Sequence, residues 1–510
     1  MPKKRPHLVA RESKELTEVV VPIDRQIRGV NGTASHNNTK NAYVNDALGT
    51  LDATGVAQRI SAGEISALEA VDAAIARAVA VNTHLNAIVA DSFGAARAAA
   101  KLTSDGFFNG VPTFIKDTEQ VEGFPMRLGS RALPATPCTF NSKYVDQLLS
   151  TGLVSLGKTT MPEFGLSGVT ECLLTGATRN PWNTDHSPGG SSGGSAALVA
   201  AGVVPIAYGN DGGGSTRIPS ACCGLVGLKP TQHRLHEIWF TEAAPLQIMC
   251  QGIITRSVRD TANYYAACEQ HFQNPNLPPL GLVEHPGKER LRVGLFTDSF
   301  DGEPSQEETV QAVEQAGKLL ESLGHTVEPI KPPFNSQLVD DFFLYWAASA
   351  YGTKLNGREL ISPDFDPQLM EKNLTTGFCE YYEKRMDQTE AVLARLMNVP
   401  NEMRNIFSQY DILLSPTLAD TAPEIGYLGT DVDFATHLER IRKWVAFTPI
   451  YNAANNPAVT LPLGMSSNGL PIGVQFAAAH NQERQLLELA FEIEAAALWS
   501  RLDQYLQVAK

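Results

Sequence analysis

The chain has 510 residues, 43% of them hydrophobic and 19% charged, so it can bury the large core of an α/β enzyme. Its formal net charge of −14 argues against nucleic acid or an anionic membrane as a partner. No stretch approaches the roughly 18 apolar residues of a membrane-spanning helix. The seven cysteines lack paired spacing, which favours reduced thiols and a cytoplasmic location.

The first 44 residues differ from the rest in charge. They contain 8 Lys and Arg against 4 Asp and Glu, without the apolar run of a secretory signal. They are consistent with an N-terminal arm, or with a strap that docks on the acidic body or on a second subunit. A homodimer is therefore kept as an alternative. For residues 45–510 we predict one α/β domain with a central mixed, mostly parallel twisted sheet flanked by helices.

Helices are predicted from Ala47 onwards, and residues 66–69 (SALE) have the pattern of a capping box. Further along the chain, residues 111–115 predict an apolar strand, and Lys116 follows it directly. Open α/β sheets bind their ligands at the carboxyl ends of parallel strands. Lys116 is therefore a candidate site residue.

Residues 152–159, GLVSLGKT, match the Walker A pattern letter for letter. A phosphate-binding loop needs a strand before its first glycine and a helix after its last residue. Here residues 145–150 look helical, residues 153–156 look strand-like, and Pro162 prevents a long helix from starting at Lys158. We therefore do not assign phosphate binding.

Residues 189–202, GGSSGGSAALVAAG, join a small, flexible half to an alanine-rich half that predicts a helix over 195–201. A β-leaning run over 203–208 and a triple-glycine turn ending at Ser215 follow. The helix advances about 12 Å and the strand returns about 20 Å. Ser191 and Ser215 are therefore expected at the same edge of the sheet.

The turn over residues 209–217, GNDGGGSTR, delivers a serine at the end of three glycines. Without side chains, its backbone N–H groups can approach a ligand atom closely enough to stabilise an oxyanion. Lysine can act as the base beside a nucleophilic serine if burial lowers its pKa from about 10.4. Lys116, Ser191 and Ser215 together therefore indicate a hydrolase that attacks a carbonyl group.

These segments resemble the amidase signature family, as do three further motifs. They are GVPTFIKD (110–117), LGKTTMPEFGLS (156–167) and ATRNPWN (177–183). The signature core covers about residues 110–231, and family-like sequence extends over about 48–502. ATRNPWN and the GND turn are most similar to the 6-aminohexanoate-cyclic-dimer hydrolase branch of the family.

The resemblance implies roles for individual residues. The catalytic set would be Lys116, Ser191 and Ser215, with a cis peptide bond between Gly190 and Ser191. The oxyanion hole would consist of the backbone N–H groups of Gly212, Gly213, Gly214 and Ser215. Supporting roles are implied for Ser192, Asp211 and Arg217. Asn210 departs from the Thr or Ser of many members, and we expect it to lie behind the catalytic groups rather than among them.

A second interpretation makes Ser192 the nucleophile, because residues 190–194 (GSSGG) fit the G-x-S-x-G elbow of α/β-hydrolases. That elbow needs a downstream acid and histidine, and His325 and His480 are the candidates. A strong strand should also precede it, but residues 180–188 look like a loop. This interpretation is therefore less favoured.

Residues 281–451 are the least family-like part and form the predicted variable, substrate-specificity region. Its aromatic cluster consists of Phe342, Phe343, Tyr345, Trp346 and Tyr351. From this cluster we select Phe343, Trp346 and Tyr351 as the predicted lining of the acyl pocket, although packing of a helix on the sheet is the commoner role of such residues. The remaining predicted elements are strands over 292–296, 411–414 and 459–476 (a pair around a turn) and a helix over 482–499.

We expect an amide-bond hydrolase that forms an acyl-enzyme on Ser215 and acts on a small-molecule amide. The pair His233 and His236 lacks any further metal-ligand pattern, so we predict no metal and no cofactor. The alternatives are a glutaminase subunit of a tRNA-dependent amidotransferase, a urethane or ester hydrolase on the same site, and a non-catalytic binding protein.

Overall fold

The structure is a computed structural model that describes residues 38–102, 104–241, 244–497 and 499–504. Within these ranges the chain alternates between helices and strands along most of its length. The helices are α1 (Ala53–Ser61), α2 (Ala67–Leu85), α3 (Phe93–Ala99), α4 (Lys143–Ser150), α5 (Gly193–Ala200), α6 (Arg217–Cys223), α7 (Val258–His271), α8 (Glu307–Ser322), α9 (Ser336–Leu360), α10 (Gly377–Glu383), α11 (Thr389–Ile406), α12 (Phe434–Trp444), α13 (Ile450–Ala453) and α14 (Glu483–Ala496). The strands are β1 (Ile88–Asp91), β2 (Pro112–Lys116), β3 (Val154–Thr159), β4 (Glu171–Cys172), β5 (Gly176–Ala177), β6 (Ile206–Asp211), β7 (Val226–Lys229), β8 (Cys250–Thr255), β9 (Arg292–Leu295), β10 (Thr326–Pro329), β11 (Ile412–Pro416), β12 (Ala458–Met465) and β13 (Pro471–Ala478).

The predicted α/β domain with a mixed sheet flanked by helices is confirmed, but its strands are not mostly parallel. Its eight strands lie in the order β10-β9-β11-β13-β12-β7-β8-β6. Two pairings, β9–β10 and β9–β11, are parallel, and the other five described pairings are antiparallel. The antiparallel pairings have two causes. Strand β8 lies between β6 and β7, which run in the same direction, and is antiparallel to both. Strands β12 and β13 form a hairpin.

Strand β2, which ends at Lys116, belongs to a separate three-stranded sheet in the order β1-β3-β2. The Thr113 hydroxyl donates a hydrogen bond of 2.9 Å to the carbonyl of Ile206, at the start of β6. Lys116 in turn contacts Asn210, near the end of β6. The two strands therefore run side by side in the same direction, and Lys116 reaches the turn that carries Ser215.

Helix α5 packs against both strands, and most of its residues are small. All eight of them are buried, and the helix includes Ala196 and Ala197. The Ser195 hydroxyl donates to the carbonyl of Tyr208 at 2.7 Å, which ties the helix to β6. The helix start and the strand end therefore meet at one edge, as the lengths of the two elements predict.

Two further local predictions can be compared with the structure, namely the capping box at α2 and the absence of a phosphate-binding loop in the Walker-like segment. The capping box at α2 is confirmed, since the Ser66 hydroxyl accepts from the Glu69 N–H at 3.2 Å and Glu69 accepts from the Ser66 N–H at 2.7 Å. In the Walker-like segment, β3 occupies the place of the loop, and Lys158 forms a buried ion pair of 2.6 Å with Asp117. Lys158 is therefore a structural residue.

The predicted N-terminal arm lies outside the described residues up to position 37. Its last residues lie on the body: the Lys40 N–H donates to the Pro181 carbonyl, and the Ala42 N–H donates to the Ala201 carbonyl, both at 2.8 Å. The seven cysteines are free thiols. In the part of the chain that the structure describes, no helix is long and apolar enough to cross a membrane.

Candidate active site

The three residues of the predicted catalytic set are buried and line the same cavity. Lys116 ends β2, Ser191 lies in the loop before α5, and Ser215 lies in the turn between β6 and α6. Their exposed fractions are 0%, 2% and 7%. The Nζ atom of Lys116 lies 2.7 Å from the Oγ atom of Ser191. The peptide bond between Gly190 and Ser191 is cis, as the resemblance implies.

Burial changes the charge of Lys116. It lowers the pKa of the Lys116 amine from 10.5 to about 7, although the negative charges of Asp211 and Glu119 act in the opposite direction. A substantial fraction of this lysine is therefore neutral near pH 7. A neutral amine has a lone pair that can accept a proton from the Ser191 hydroxyl.

Asn210 also contacts this lysine, since its side-chain oxygen accepts a short hydrogen bond from Lys116 Nζ. Asn210 is therefore a direct neighbour of a predicted catalytic residue, a contact that a residue behind the catalytic set can make. Successive side chains of a strand point to opposite faces. Asn210 consequently turns towards β2 while Asp211 turns towards α6, and this alternation is the sequence signal that could have identified it.

Asp211 and Arg217 form a fully buried ion pair behind the nucleophile turn, with Nη2 and Oδ1 2.8 Å apart. Arg217 also donates to the carbonyl of Thr448 at 3.0 Å and to the side chains of Gln475 and Asn452, each at 2.7 Å. Burial alone would raise the pKa of Asp211, but the charge and hydrogen bonds of Arg217 outweigh it and hold that pKa at about 2. Asp211 is therefore a permanent anion.

This anion restricts the predicted oxyanion hole. The N–H of Gly214 donates to Asp211 Oδ1 at 2.8 Å, so it is not available to a ligand. Gly214 is therefore removed from the predicted set of donors. Among the described residues, no acceptor binds the backbone N–H groups of Gly212, Gly213 and Ser215, which remain candidates for the oxyanion hole.

Gly214 has a conformational role instead. Its φ angle of +127° suits glycine, and an added Cβ would lie 2.3 Å from the hydroxyl oxygen of Thr448. That hydroxyl donates to the carbonyl of Gly213 at 2.6 Å. Thr448 and Asp211 thus hold the turn from two sides and fix the position of Ser215.

Ser192 supports the nucleophile through its backbone. Its N–H donates to the carbonyl of Ser215 at 3.2 Å, while its fully buried hydroxyl donates to the carbonyl of Asn210 at 3.4 Å. The histidines of the elbow interpretation are engaged elsewhere, His325 with Glu492 at 3.0 Å and His480 with the carbonyl of Asn455 at 3.1 Å. The geometry therefore favours the interpretation in which Ser192 is a supporting residue.

A cavity of about 420 Å³ opens in front of Lys116, Ser191 and Ser215. Trp346 of α9 lines it, as predicted, and so does Tyr345 of the same aromatic cluster. The other two predicted lining residues occupy different positions. Phe343 is 4% exposed and lies beside a narrow neighbouring cleft that also reaches Ser215. Tyr351 packs against Tyr382, with ring centroids 5.3 Å apart, and Tyr382 lines the cavity.

The close pair of histidines has other contacts. His233 Nδ1 lies 2.5 Å from a carboxylate oxygen of Glu237, and His236 stacks on Phe272 with ring centroids 3.9 Å apart. Within the described ranges, no group of three or more His, Cys, Asp or Glu side chains could hold a metal ion.

Comparison with known proteins identifies the family. The model of the Amidase family matches residues 69–487, more than three quarters of the chain. The chain belongs to the amidase signature family. It is therefore an amide-hydrolysing enzyme whose catalytic segments lie inside the matched region.

Two relatives and one solved structure show how far the similarity of this amidase extends. The protein AmiC of Mycobacterium tuberculosis (strain H37Rv) is 45% identical over 464 residues, which cover 90% of this chain and 98% of AmiC. The 6-aminohexanoate-cyclic-dimer hydrolase of Paenarthrobacter ureafaciens is 35% identical over 485 residues, 88% of this chain and 95% of that protein. A structure of 6-aminohexanoate cyclic dimer hydrolase complexed with substrate has a TM-score of 0.81 at 31% identity and covers 89% of this chain and 98% of that one.

Replacing Asp211 by Asn should destabilise this amidase by about 3–5 kcal/mol, because it leaves the Arg217 guanidinium buried without a counter-ion. Since the folded-state pKa of Asp211, about 2, lies below the unfolded value of 3.8, the stabilisation is present above pH 3.8 and is lost as the pH falls towards 2. Urea unfolding measures the change. Glu439→Gln, in the exposed pair with Lys443, is the matched control and should leave the midpoint unchanged. An equal effect of the two substitutions would contradict the assignment.

Asn210 should set the pKa of Lys116. Asn210→Leu removes a hydrogen bond that favours the ammonium form, so the pKa of Lys116 should fall below about 7. Asn210→Asp keeps the shape and adds a negative charge, so the pKa should rise. NMR titration of isotopically labelled lysine side chains, with the Lys116 signal assigned by a Lys116→Met variant, measures both shifts. Shifts in the same direction would contradict the direct contact.

Proposed function

We propose that this amidase hydrolyses a small-molecule amide through an acyl-enzyme on Ser215. The observation that carries the proposal is the 2.7 Å contact between the Lys116 amine and the Ser191 hydroxyl, together with the lowered pKa of that amine. Ser215 lines the same cavity as these two residues. This arrangement supports a mechanism with Lys116 as the buried base, Ser191 as the proton relay and Ser215 as the nucleophile.

In the first half-reaction, the neutral amine of Lys116 takes the proton of Ser191 as Ser191 takes the proton of Ser215. The Ser215 oxygen then bonds to the amide carbon, and the carbonyl electron pair moves onto oxygen. The N–H groups of Gly212, Gly213 and Ser215 are the donors that can stabilise this oxyanion. When the C–N bond breaks, the leaving nitrogen receives its proton from Lys116 through Ser191, and the amine departs.

In the second half-reaction, water takes the place of Ser215 as the proton donor to Ser191. Its oxygen attacks the acyl carbon, the bond to Ser215 breaks, and the proton held by Lys116 returns to Ser215 through Ser191. The products are a carboxylic acid and an amine, and the enzyme regains its starting protonation. We also propose a cytoplasmic location, which the seven free thiols support.

The rate should follow the titration of Lys116. The kcat/KM of the wild type should rise with pH through a midpoint of about 7, because only the neutral amine accepts a proton. Lys116→Met, which is of similar size, should lower kcat/KM by roughly 100-fold to 10,000-fold. It should also remove the alkaline limb of the profile, which is the rise of kcat/KM with pH through this midpoint. The pH profile of hydrolysis of a neutral amide measures both effects.

A buried carboxyl group provides the control for this profile. Burial and the neighbouring charge of Glu163 raise the pKa of Glu371 to about 7 as well, so this group titrates in the same range. Glu371→Gln is isosteric and should keep the limb and its midpoint. A limb that survives Lys116→Met, or one that disappears with Glu371→Gln, would exclude lysine as the base.

The nucleophile can be identified by covalent labelling. A fluorophosphonate should modify Ser215 and inactivate the enzyme, and Ser215→Ala should abolish the label. Ser192→Ala keeps the backbone N–H that holds Ser215 and should still be labelled. Mass spectrometry of the peptides locates the modification. A label on Ser192, or one that survives Ser215→Ala, would support the elbow interpretation instead.

A further inference from the structure

The described part of the active-site cavity wall carries little charge. Among the described residues that line the cavity, Lys116 is the only lysine, arginine, aspartate or glutamate. Much of the rest of the wall is aliphatic or aromatic, including Leu128, Phe164, Ile248, Met249, Tyr345 and Trp346. A charged substrate group placed inside the cavity would therefore find no oppositely charged side chain of the described wall except Lys116.

Several polar groups of the wall already have partners in the protein. The Tyr345 hydroxyl donates to the carbonyl of Leu246 at 2.5 Å, and the Thr353 hydroxyl donates to the carbonyl of Ser349 at 3.1 Å. The hydroxyl oxygens of Tyr382 and Thr389 lie 2.9 Å apart. A charge that loses its water in this cavity would consequently recover few hydrogen bonds from these residues.

Lys116 cannot provide the missing counter-charge without loss of function. A substrate carboxylate beside its amine would favour the ammonium form and raise the pKa of Lys116 above about 7. The protonated lysine could then no longer accept a proton from Ser191. A carboxylate bound next to Lys116 would thus suppress the reaction.

The described residues at the rim of the cavity are also uncharged. Ser349 and Asn356 of α9 are exposed at the edge of the cavity, and Leu360 is 45% exposed there. The cavity volume of about 420 Å³ gives room for a compact acyl chain of several carbons.

We propose that this site selects amides whose acyl group is uncharged and apolar, and that it discriminates against amides that carry a carboxylate or an ammonium group a few bonds from the carbonyl. This inference rests on the proposed function, because it assumes that Ser215 attacks a substrate bound in this cavity. L-Glutamine carries both charges and is therefore a poor substrate. The glutaminase alternative conflicts with the same wall.

The test uses the wild-type chain and four primary amides. Pentanamide is the neutral reference, glutaric acid monoamide replaces its terminal methyl by a carboxylate, 5-aminopentanamide adds an ammonium group, and L-glutamine carries both charges. Burying an unpaired charge is costly. The kcat/KM for each charged amide should therefore be at least about 100-fold below that for pentanamide, measured as ammonia release at pH 8.

Two controls separate this inference from the proposed function. Ser215→Ala should abolish hydrolysis of every amide, and the fluorophosphonate label should report Ser215 whether or not an amide is turned over. A charged amide hydrolysed within tenfold of pentanamide, in a Ser215-dependent reaction, would overturn the substrate class and leave the proposed function standing. Hydrolysis that persists in Ser215→Ala would overturn the proposed function. Labelled Ser215 with no turnover of pentanamide would also overturn the substrate class.

Discussion

The proposed chemistry of this protein depends on the removal of one ammonium group from water. Lys116 has no exposed surface, because β3 and β6 flank the strand that carries it. Two carboxyl groups in its surroundings, Asp211 and Glu119, would keep it charged, and burial outweighs them. Glu119 is itself buried and accepts hydrogen bonds from Ser142 and Gln251, and this burial raises the pKa of Glu119. The same dry environment thus acts on the base and on the nearby acid in opposite directions.

The second requirement is a rigid turn at Ser215. It is met because Asp211 pairs with Arg217 and not with Lys116. Because Arg217 neutralises the Asp211 charge, the carboxylate can hold the backbone N–H groups of Gly214 and Thr216 at 2.8 Å and 3.2 Å without forming an ion pair with Lys116. The position of Ser215 is therefore determined by a permanent anion, while the proton chemistry is left to a group that titrates near neutrality. The two functions are separated by the alternation of side chains along β6.

Much of this site could be predicted because it depends on chain order and element length. A short alanine-rich helix followed by a strand brings Ser191 and Ser215 to one edge, whatever the rest of the fold does. The strand directions in the large sheet were not predictable in the same way. They depend on β8, which lies between β6 and β7 and pairs with residues that are far away in the sequence. The strand predicted over 203–208 begins at Ile206, after a turn at Gly202 with a φ angle of +78° that the apolar pattern conceals. Gly214 was misjudged because the use of one backbone N–H cannot be deduced from residue type.

Part of the cavity wall comes from a different part of the chain than the proposed catalytic groups. Lys116, Ser191 and Ser215 lie within about one hundred residues of each other, whereas Tyr345, Trp346 and Tyr382 belong to helices much further along. Substitutions in α9 and α10 can therefore remodel the space around a bound acyl group without touching the lysine or its proton relay. During evolution, substitutions in these two helices can therefore change the substrate preference of the enzyme while the reaction itself is retained.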